Sequence, residues 1–562
     1  MHPKPSALPM VIAVIAVIVA VIEVSVIAFT GARALRDFAM PDDRDHRGDQ
    51  AQSQSGAATS GVVKAEDLPD PGDTLEGYYG QKIQWGQCRL GDIMTDYDSA
   101  PKDPDKYQCG HLRVPLDWDN LAGEDITLAI AVHRNGKDGA DALFYNLGGP
   151  GGDAVRSLVT RVTRSMGDSL VENFDIVAVD PRGVGKSTPV QCRNDKERDQ
   201  ANAGVDDQGK PFKMPESTDA IIKKATEEIT EITDGCQKYT GDLFKHIDTV
   251  SAAKDFDMVR AVLGQDKMHY LGFSYGTFLG ATYADLFPDK VGRFVLDGAL
   301  DPSIDVNTVN ELQYRGFEAS VENWAKDCQT GPNCPFAGTP AEVKGQLKKF
   351  LDSLDASPLP TADPSRPLTR GLAMTVLIGT MYSVDSYGVL TQALTQAVRE
   401  GDGSQMLLVA DLLNERNEDG TYDSMGSDAL IAVNMLDFPP SGTPAEWEKQ
   451  AKALKKELPL FGEQAGWSSA GLDAWPTSHA PRRKITAPGT PPIVVVGTTH
   501  DPATPYVMAQ ALAEQLSQGV LVTWEGWDHC AYSKDGSACV ARAVEGYLVD
   551  GKVPEDNLKC TD

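Results

Sequence analysis

A serine hydroxyl is a poor nucleophile near neutral pH; it needs a base to take its proton and a carboxylate to orient that base. The segment GFSYG, residues 272–276, places Ser274 between Gly272 and Gly276. The pattern alone is weak, because a chain with 52 glycines in 562 residues meets it by chance roughly once in every few such chains. Its setting is more telling. The apolar run MHYL precedes it and the helix-forming TFLGATYADLF follows, which predicts a sharp strand-to-helix turn that exposes the hydroxyl at the end of a sheet. Neighbouring chain then passes too close for a Cβ at either flanking glycine.

The partners are sought downstream, since doubly wound hydrolases run in the order Ser, then Asp or Glu, then His. Of the nine histidines only His479, His500 and His529 follow Ser274. His529, in TWEGWDHCAY just past the last predicted strand, is the expected base, and His500 reads as a loop residue. Asp501, in VVVGTTHDPATPY after the preceding strand, is the expected orienting acid; Asp297 and Asp301 in VLDGALDP are the rivals, read more readily as turn residues. A tetrahedral intermediate also needs backbone donors for its oxyanion. NLGGPGG, residues 146–152, follows the strand ALFY and can supply the Gly149 N–H, with Gly148 as the alternative, to act beside the Tyr275 N–H.

These residues require a scaffold, and the chain supplies its pattern. ITLAIAV, ALFYNL, FDIVAV, MHYL, RFVL, PIVVV and VLVTW are short apolar runs separated by helical segments such as DTVSAAKDFDMVRAVLG. Apolar strands alternating with helices predict an α/β fold with a mostly parallel sheet covered on both faces. Between residues 302 and 485 the strand signal stops and helix-like PAEVKGQLKKFLDSL and AEWEKQAKALKKEL take over, which predicts a helical cap inserted into the sheet domain. The expected division is 1–34 signal peptide or membrane anchor, 35–77 disordered linker, 78–301 first part of the core, 302–485 cap, and 486–562 the C-terminal part of the core carrying Asp501 and His529.

The apolar run at 10–29, flanked by Lys4 and by Ala32 and Ala34, reads as an export signal or anchor. Nine cysteines suit an exported chain, and local spacing suggests Cys88 with Cys109, Cys192 with Cys236, Cys328 with Cys334, and Cys539 with Cys560, leaving Cys530. The net charge of −29 argues against nucleic acid as a partner. No metal-binding pattern is read. The phosphate-loop-like ending of DPRGVGKST, from Asp180, has Asp180 where that motif needs its first Gly; it reads as a turn, with Arg182 bracing nearby loops.

Together CGHLRVPLDWDN, NLGGPGG, DIVAVDPRGVGKS, YLGFSYGTFLGATYADLFPDKVGRFVLDGALDP and VGTTHDPATPY resemble the secreted tripeptidyl aminopeptidases of actinobacteria. These are serine exopeptidases related to proline iminopeptidases, with an α/β-hydrolase core and a helical cap. The resemblance implies Ser274, Asp501 and His529 as the triad, no cofactor, and release of short peptides, often tripeptides, from free N-termini of peptides or proteins. It departs from the family at Asp528 and Cys530, which flank His529 where relatives usually carry Gly and a Thr- or Ser-like residue, and at Met435 and Leu472, where relatives often have a disulfide. An ionised Asp528 would raise the pKa of His529.

An aminopeptidase must hold an ammonium group, and Glu318 and Asp437 are the candidate carboxylates from the cap. The expected product is a secreted or cell-surface serine peptidase that touches the membrane only through the possible anchor. The same constellation would also serve an extracellular carboxylesterase or an acyltransferase. A catalytically silent binding protein with this fold typically lacks the Ser or the His, and both are retained.

Overall fold

The computed structural model describes residues 62–95, 98–462, 464–476 and 481–562. The expected signal or anchor at 1–34 and His479 lie outside them. Ten strands form one sheet: β1 Gly86–Gln87, β2 Tyr107–Pro115, β3 Asp125–His133, β4 Ala142–Asn146, β5 Asp175–Val179, β6 Met268–Phe273, β7 Val291–Asp297, β8 Ile493–Thr498, β9 Gly519–Trp524 and β10 Leu558–Cys560. Their order is β1-β2-β3-β5-β4-β6-β7-β8-β9-β10. The pairs from β5 through β10 are parallel, and β1, β2, β3 and β5 pair antiparallel. This is the α/β-hydrolase arrangement, with every expected strand present.

Strand side chains alternate between faces, and two cores result. Phe144, Val177, Tyr270, Phe294 and Val495 point to one face, where they meet Phe256 and Val259 of the helix Thr249–Val262 and Leu279 and Tyr283 of the helix Tyr275–Leu286. Leu143, Tyr145, Ile176, Leu271, Val295 and Val494 point to the other, against Leu158 and Val162 of the helix Ala154–Ser165 and Val544 and Leu548 of the helix Ala538–Asp550.

Between β7 and β8 the named elements are helical, from Val306–Cys328 to Leu472–Ala474. Much of this region has its own core, in which Phe317, Val321, Trp324, Leu347, Leu377 and Phe461 pack together. The helix Gly426–Asp437 departs from a detached cap: its Ala429, Ile431, Ala432, Val433 and Leu436 join the first sheet core. Asp428 on that helix accepts from Arg193 and Arg198, so buried charge as well as apolar surface ties it down.

The described end of the segment expected as linker carries structure. Within 62–77, read as linker, Val63 already accepts a hydrogen bond from Thr127 Oγ1 at 2.7 Å, and the helix Leu75–Tyr79 is N-capped by Thr74. A few backbone groups find partners on the core although the segment has little to bury. Arg182 is a brace, as read: it pairs with Asp255 at 2.7 Å and donates to the carbonyls of Pro115, Leu116 and His246. All four expected disulfides are formed, of the kind that persists outside the reducing cytoplasm. Among the described residues no helix is long and apolar enough to cross a membrane.

Candidate active site

The carboxyl ends of parallel strands are where open α/β sheets bind their ligands, and the expected residues gather there. Ser274 follows β6 and caps the helix Tyr275–Leu286 with φ 54° and ψ −123°. For a residue with a Cβ this is a strained region. The strain is held by Ser274 N–H donating to Asp297 O at 2.9 Å and by Thr277 N–H and Oγ1–H donating to Ser274 O at 2.9 and 2.6 Å. The flanking glycines are required by contact: a Cβ on Gly272 would lie 2.5 Å from Gly276 O, and one on Gly276 would lie 2.7 Å from Asn146 Oδ1.

His529 and Asp501 meet as expected. His529 Nδ1 lies 2.9 Å and 3.0 Å from the two carboxylate oxygens of Asp501. That carboxylate also accepts from Ala503 N, Thr504 N, Thr504 Oγ1 and Cys530 N, at 2.8 to 3.1 Å, so its orientation is over-determined. The opposite nitrogen, His529 Nε2, is buried and takes no hydrogen bond from the described residues. His500 does not join them; it is exposed and stacks on Trp527 at 4.0 Å.

The glycine loop lies against the elbow. A Cβ on Gly148 would come within 2.9 Å of Ser274 Cβ and 3.0 Å of Tyr275 N. Gly148 N–H is already donated to Asn146 Oδ1 at 2.9 Å, which favours Gly149 over Gly148 as the donor available to a ligand. Tyr275 N–H, in the first turn of its helix, has no intrahelical acceptor.

The two carboxylates expected to face an ammonium group are both engaged elsewhere. Glu318 pairs with Lys344 at 3.1 Å and accepts from Leu460 N at 3.3 Å; burial raises its pKa, against the pull of Lys344. Asp437 accepts from Thr249 N at 3.0 Å and Thr249 Oγ1 at 2.6 Å, and burial pushes its pKa up to about 7. Thr249 Oγ1 in turn touches the Tyr275 hydroxyl, so Asp437 braces the elbow helix from behind.

Asp528 is engaged by the helical region. Its Oδ1 accepts Val384 N–H at 2.7 Å, and burial raises its pKa. It thus holds a segment of the cap region. Cys530, at φ 66°, is buried with its thiol 3.6 Å from Asp297 O, and burial pushes its pKa well up; the free thiol stays protonated and unreactive. Met435 and Leu472 are both buried in the first sheet core. Thr504 and Tyr382, whose carbonyl accepts His529 N–H at 2.8 Å, are not singled out by the sequence, and Asp297 is expected there only as a rival acid or turn residue. Thr504 could have been suspected three residues after Asp501; Tyr382 leaves no local signal.

Comparison with known proteins decides the family. Serine protease Hip1 of Mycobacterium tuberculosis is 32% identical over 501 residues, which span 86% of this chain and 91% of that protein. The chain belongs to the TAP-like family of α/β-hydrolases. The TAP-like protein model itself matches residues 458–560, the stretch that holds Asp501 and His529. Two further relatives of this TAP-like hydrolase are carboxylesterase B of M. tuberculosis, 33% identical over 85% of the chain and 89% of that protein, and tripeptidyl aminopeptidase of Streptomyces lividans, 29% identical over 85% and 86%. The TAP-like chain is accordingly a serine hydrolase.

Proposed function

We propose that this chain is an exported serine aminopeptidase that releases short peptides, tripeptides among them, from free N-termini through an acyl-enzyme on Ser274. The observation that carries the reading is a strained serine at a strand-to-helix turn combined with a histidine whose Nδ1 is held by Asp501 and whose Nε2 is left without a partner. In this scheme His529 Nε2 takes the Ser274 proton as Oγ attacks the scissile carbonyl. The Tyr275 and Gly149 N–H groups receive the oxyanion, each worth about 3 to 4 kcal/mol. The protonated imidazole, steadied by Asp501, then gives its proton to the leaving amine, and water repeats the cycle to free the acyl group. The peptidase names of two relatives support the substrate class.

The disulfides and the apolar N-terminal run support secretion or retention at the cell surface. A second reading, an extracellular carboxylesterase, is favoured by the relative of that name and by the engagement of Glu318 with Lys344, which leaves no bare ammonium site at that position. The test offers peptides with free and acetylated N-termini and a simple ester to the protein and to Ser274→Ala. Cleavage of free but not blocked peptides is expected, with no activity in the variant. Equal cleavage of both peptides would remove the aminopeptidase assignment, and a surviving activity in Ser274→Ala would remove the nucleophile.

A further inference from the structure

The loop that carries His529 bends sharply, with Cys530 at φ 66°, and such a turn needs its backbone groups satisfied if it is to stay in place. All four N–H groups from His529 to Tyr532 have acceptors. His529 N donates to Tyr382 O at 2.8 Å and Cys530 N to Asp501 Oδ2 at 3.1 Å. The next two go to one carboxylate: Ala531 N lies 3.1 and 3.0 Å from the two oxygens of Asp297, and Tyr532 N lies 2.7 Å from Oδ2. Asp297 ends β7, fully buried, between β6 and β8. Its own carbonyl accepts Ser274 N–H at 2.9 Å. One residue therefore ties the serine turn to the histidine loop.

We propose that Asp297 is a positioning residue that sets the register between Ser274 and His529, its carbonyl holding the first and its carboxylate the loop of the second. The inference rests on the serine-nucleophile reading above. An ionised carboxylate only accepts hydrogen bonds, whereas a neutral acid or an amide turns a donor toward Ala531 N or Tyr532 N. The groups facing it are Asp501, His529 and the Cys530 thiol. Burial pushes its pKa up to about 6, helped by Asp501 and opposed by the two backbone donors and by His529. The locked arrangement is thus present above that pH and relaxes below it.

Asp297→Asn tests this, read by the rate at which a fluorophosphonate labels Ser274 and by kcat per titrated site. Labelling and kcat are expected to fall about 10- to 100-fold, the loss of hydrogen bonds to a charged group, with KM changed much less. The acid limb of the wild-type labelling profile should be steeper than that of the variant, which lacks the Asp297 ionisation. Unchanged labelling per folded molecule, or an unchanged limb, overturns the proposal. A wild-type protein that does not label overturns the nucleophile reading and this inference with it; a labelled wild type with an equally labelled variant overturns this inference alone. Should Asp297→Asn not fold, hydrogen exchange on the wild type decides. Protection of the Ala531 and Tyr532 amides, corrected for intrinsic rate, should drop between about pH 7.5 and about pH 5 while β7 and β8 stay protected; equal protection at both overturns the proposal.

Discussion

Tyr382, from the helical region, touches His529 twice: its carbonyl accepts the His529 N–H at 2.8 Å, and its ring meets the imidazole edge-on with centroids 5.2 Å apart. The inserted helices are therefore in direct contact with the expected base. Two residues further on, Val384 N–H reaches Asp528, so the segment is held at Tyr382 and again at Val384.

That clamp is testable at Asp528. Asp528→Ala removes the acceptor of Val384 N–H and frees the Tyr382 segment to move away from His529. A fall of about tenfold or more in kcat/KM for peptides is expected from the loss of a hydrogen bond to a charged group, with a smaller effect on fluorophosphonate labelling. Steady-state kinetics check it; equal losses in both assays would mean that the change acts on His529 directly.

Thr504 offers a second test. Its hydroxyl lies 3.0 Å from Asp501 Oδ2 and 3.3 Å from His529 Nδ1, so it helps keep the carboxylate turned to the ring. Thr504→Val keeps the shape and deletes the hydroxyl. We expect kcat to drop about 10-fold with KM and thermal midpoint little changed, as measured by active-site-titrated kinetics and thermal melts.

The buried acid behind the elbow helix gives a pH-dependent stability. Asp437 rises from an ordinary 3.8 to about 7 through burial. The folded chain thus binds its proton more tightly than the unfolded chain, and its contribution to stability falls as pH rises from about 4 to about 7. At pH 8 the buried charge is a net cost of up to about 4 kcal/mol by linkage. Asp437→Asn is therefore expected to raise the urea midpoint at pH 8 and to do little at pH 4. A lower midpoint at pH 8 would show that the charged hydrogen bonds to Thr249 outweigh the desolvation.

The remaining thiol should be silent in the native protein. Cys530 is buried and its pKa is well raised, while the other eight cysteines form four disulfides. Iodoacetamide at about pH 8 is expected to leave native Cys530 unmodified, because the reactive thiolate is scarce and shielded, and to modify it on unfolding without reductant. Mass spectrometry of the tryptic fragments reads both states.

What the sequence determined by itself was the part written in local pattern. Apolar runs such as PIVVV and FDIVAV become β8 and β5 because a strand buried on both faces must be apolar throughout. Gly272 and Gly276 announce the elbow because no Cβ fits there, and the cysteines pair as their spacing suggests. The candidacy of Asp501 and His529 follows from their place after Ser274 in the chain. What only the tertiary structure decided lies in contacts between distant segments. The strand β2 escaped because its half-buried face carries His111 and Arg113, breaking the apolar run. Glu318 and Asp437 could not be told apart from free carboxylates until Lys344 and Thr249 were beside them. Asp297 reads as a turn residue and becomes the link between two loops, and Tyr382 reads as one more helix-region aromatic. A carboxylate or a ring has no fixed role of its own: burial and the identity of its neighbours set its charge and its partners, and those neighbours are chosen by the fold.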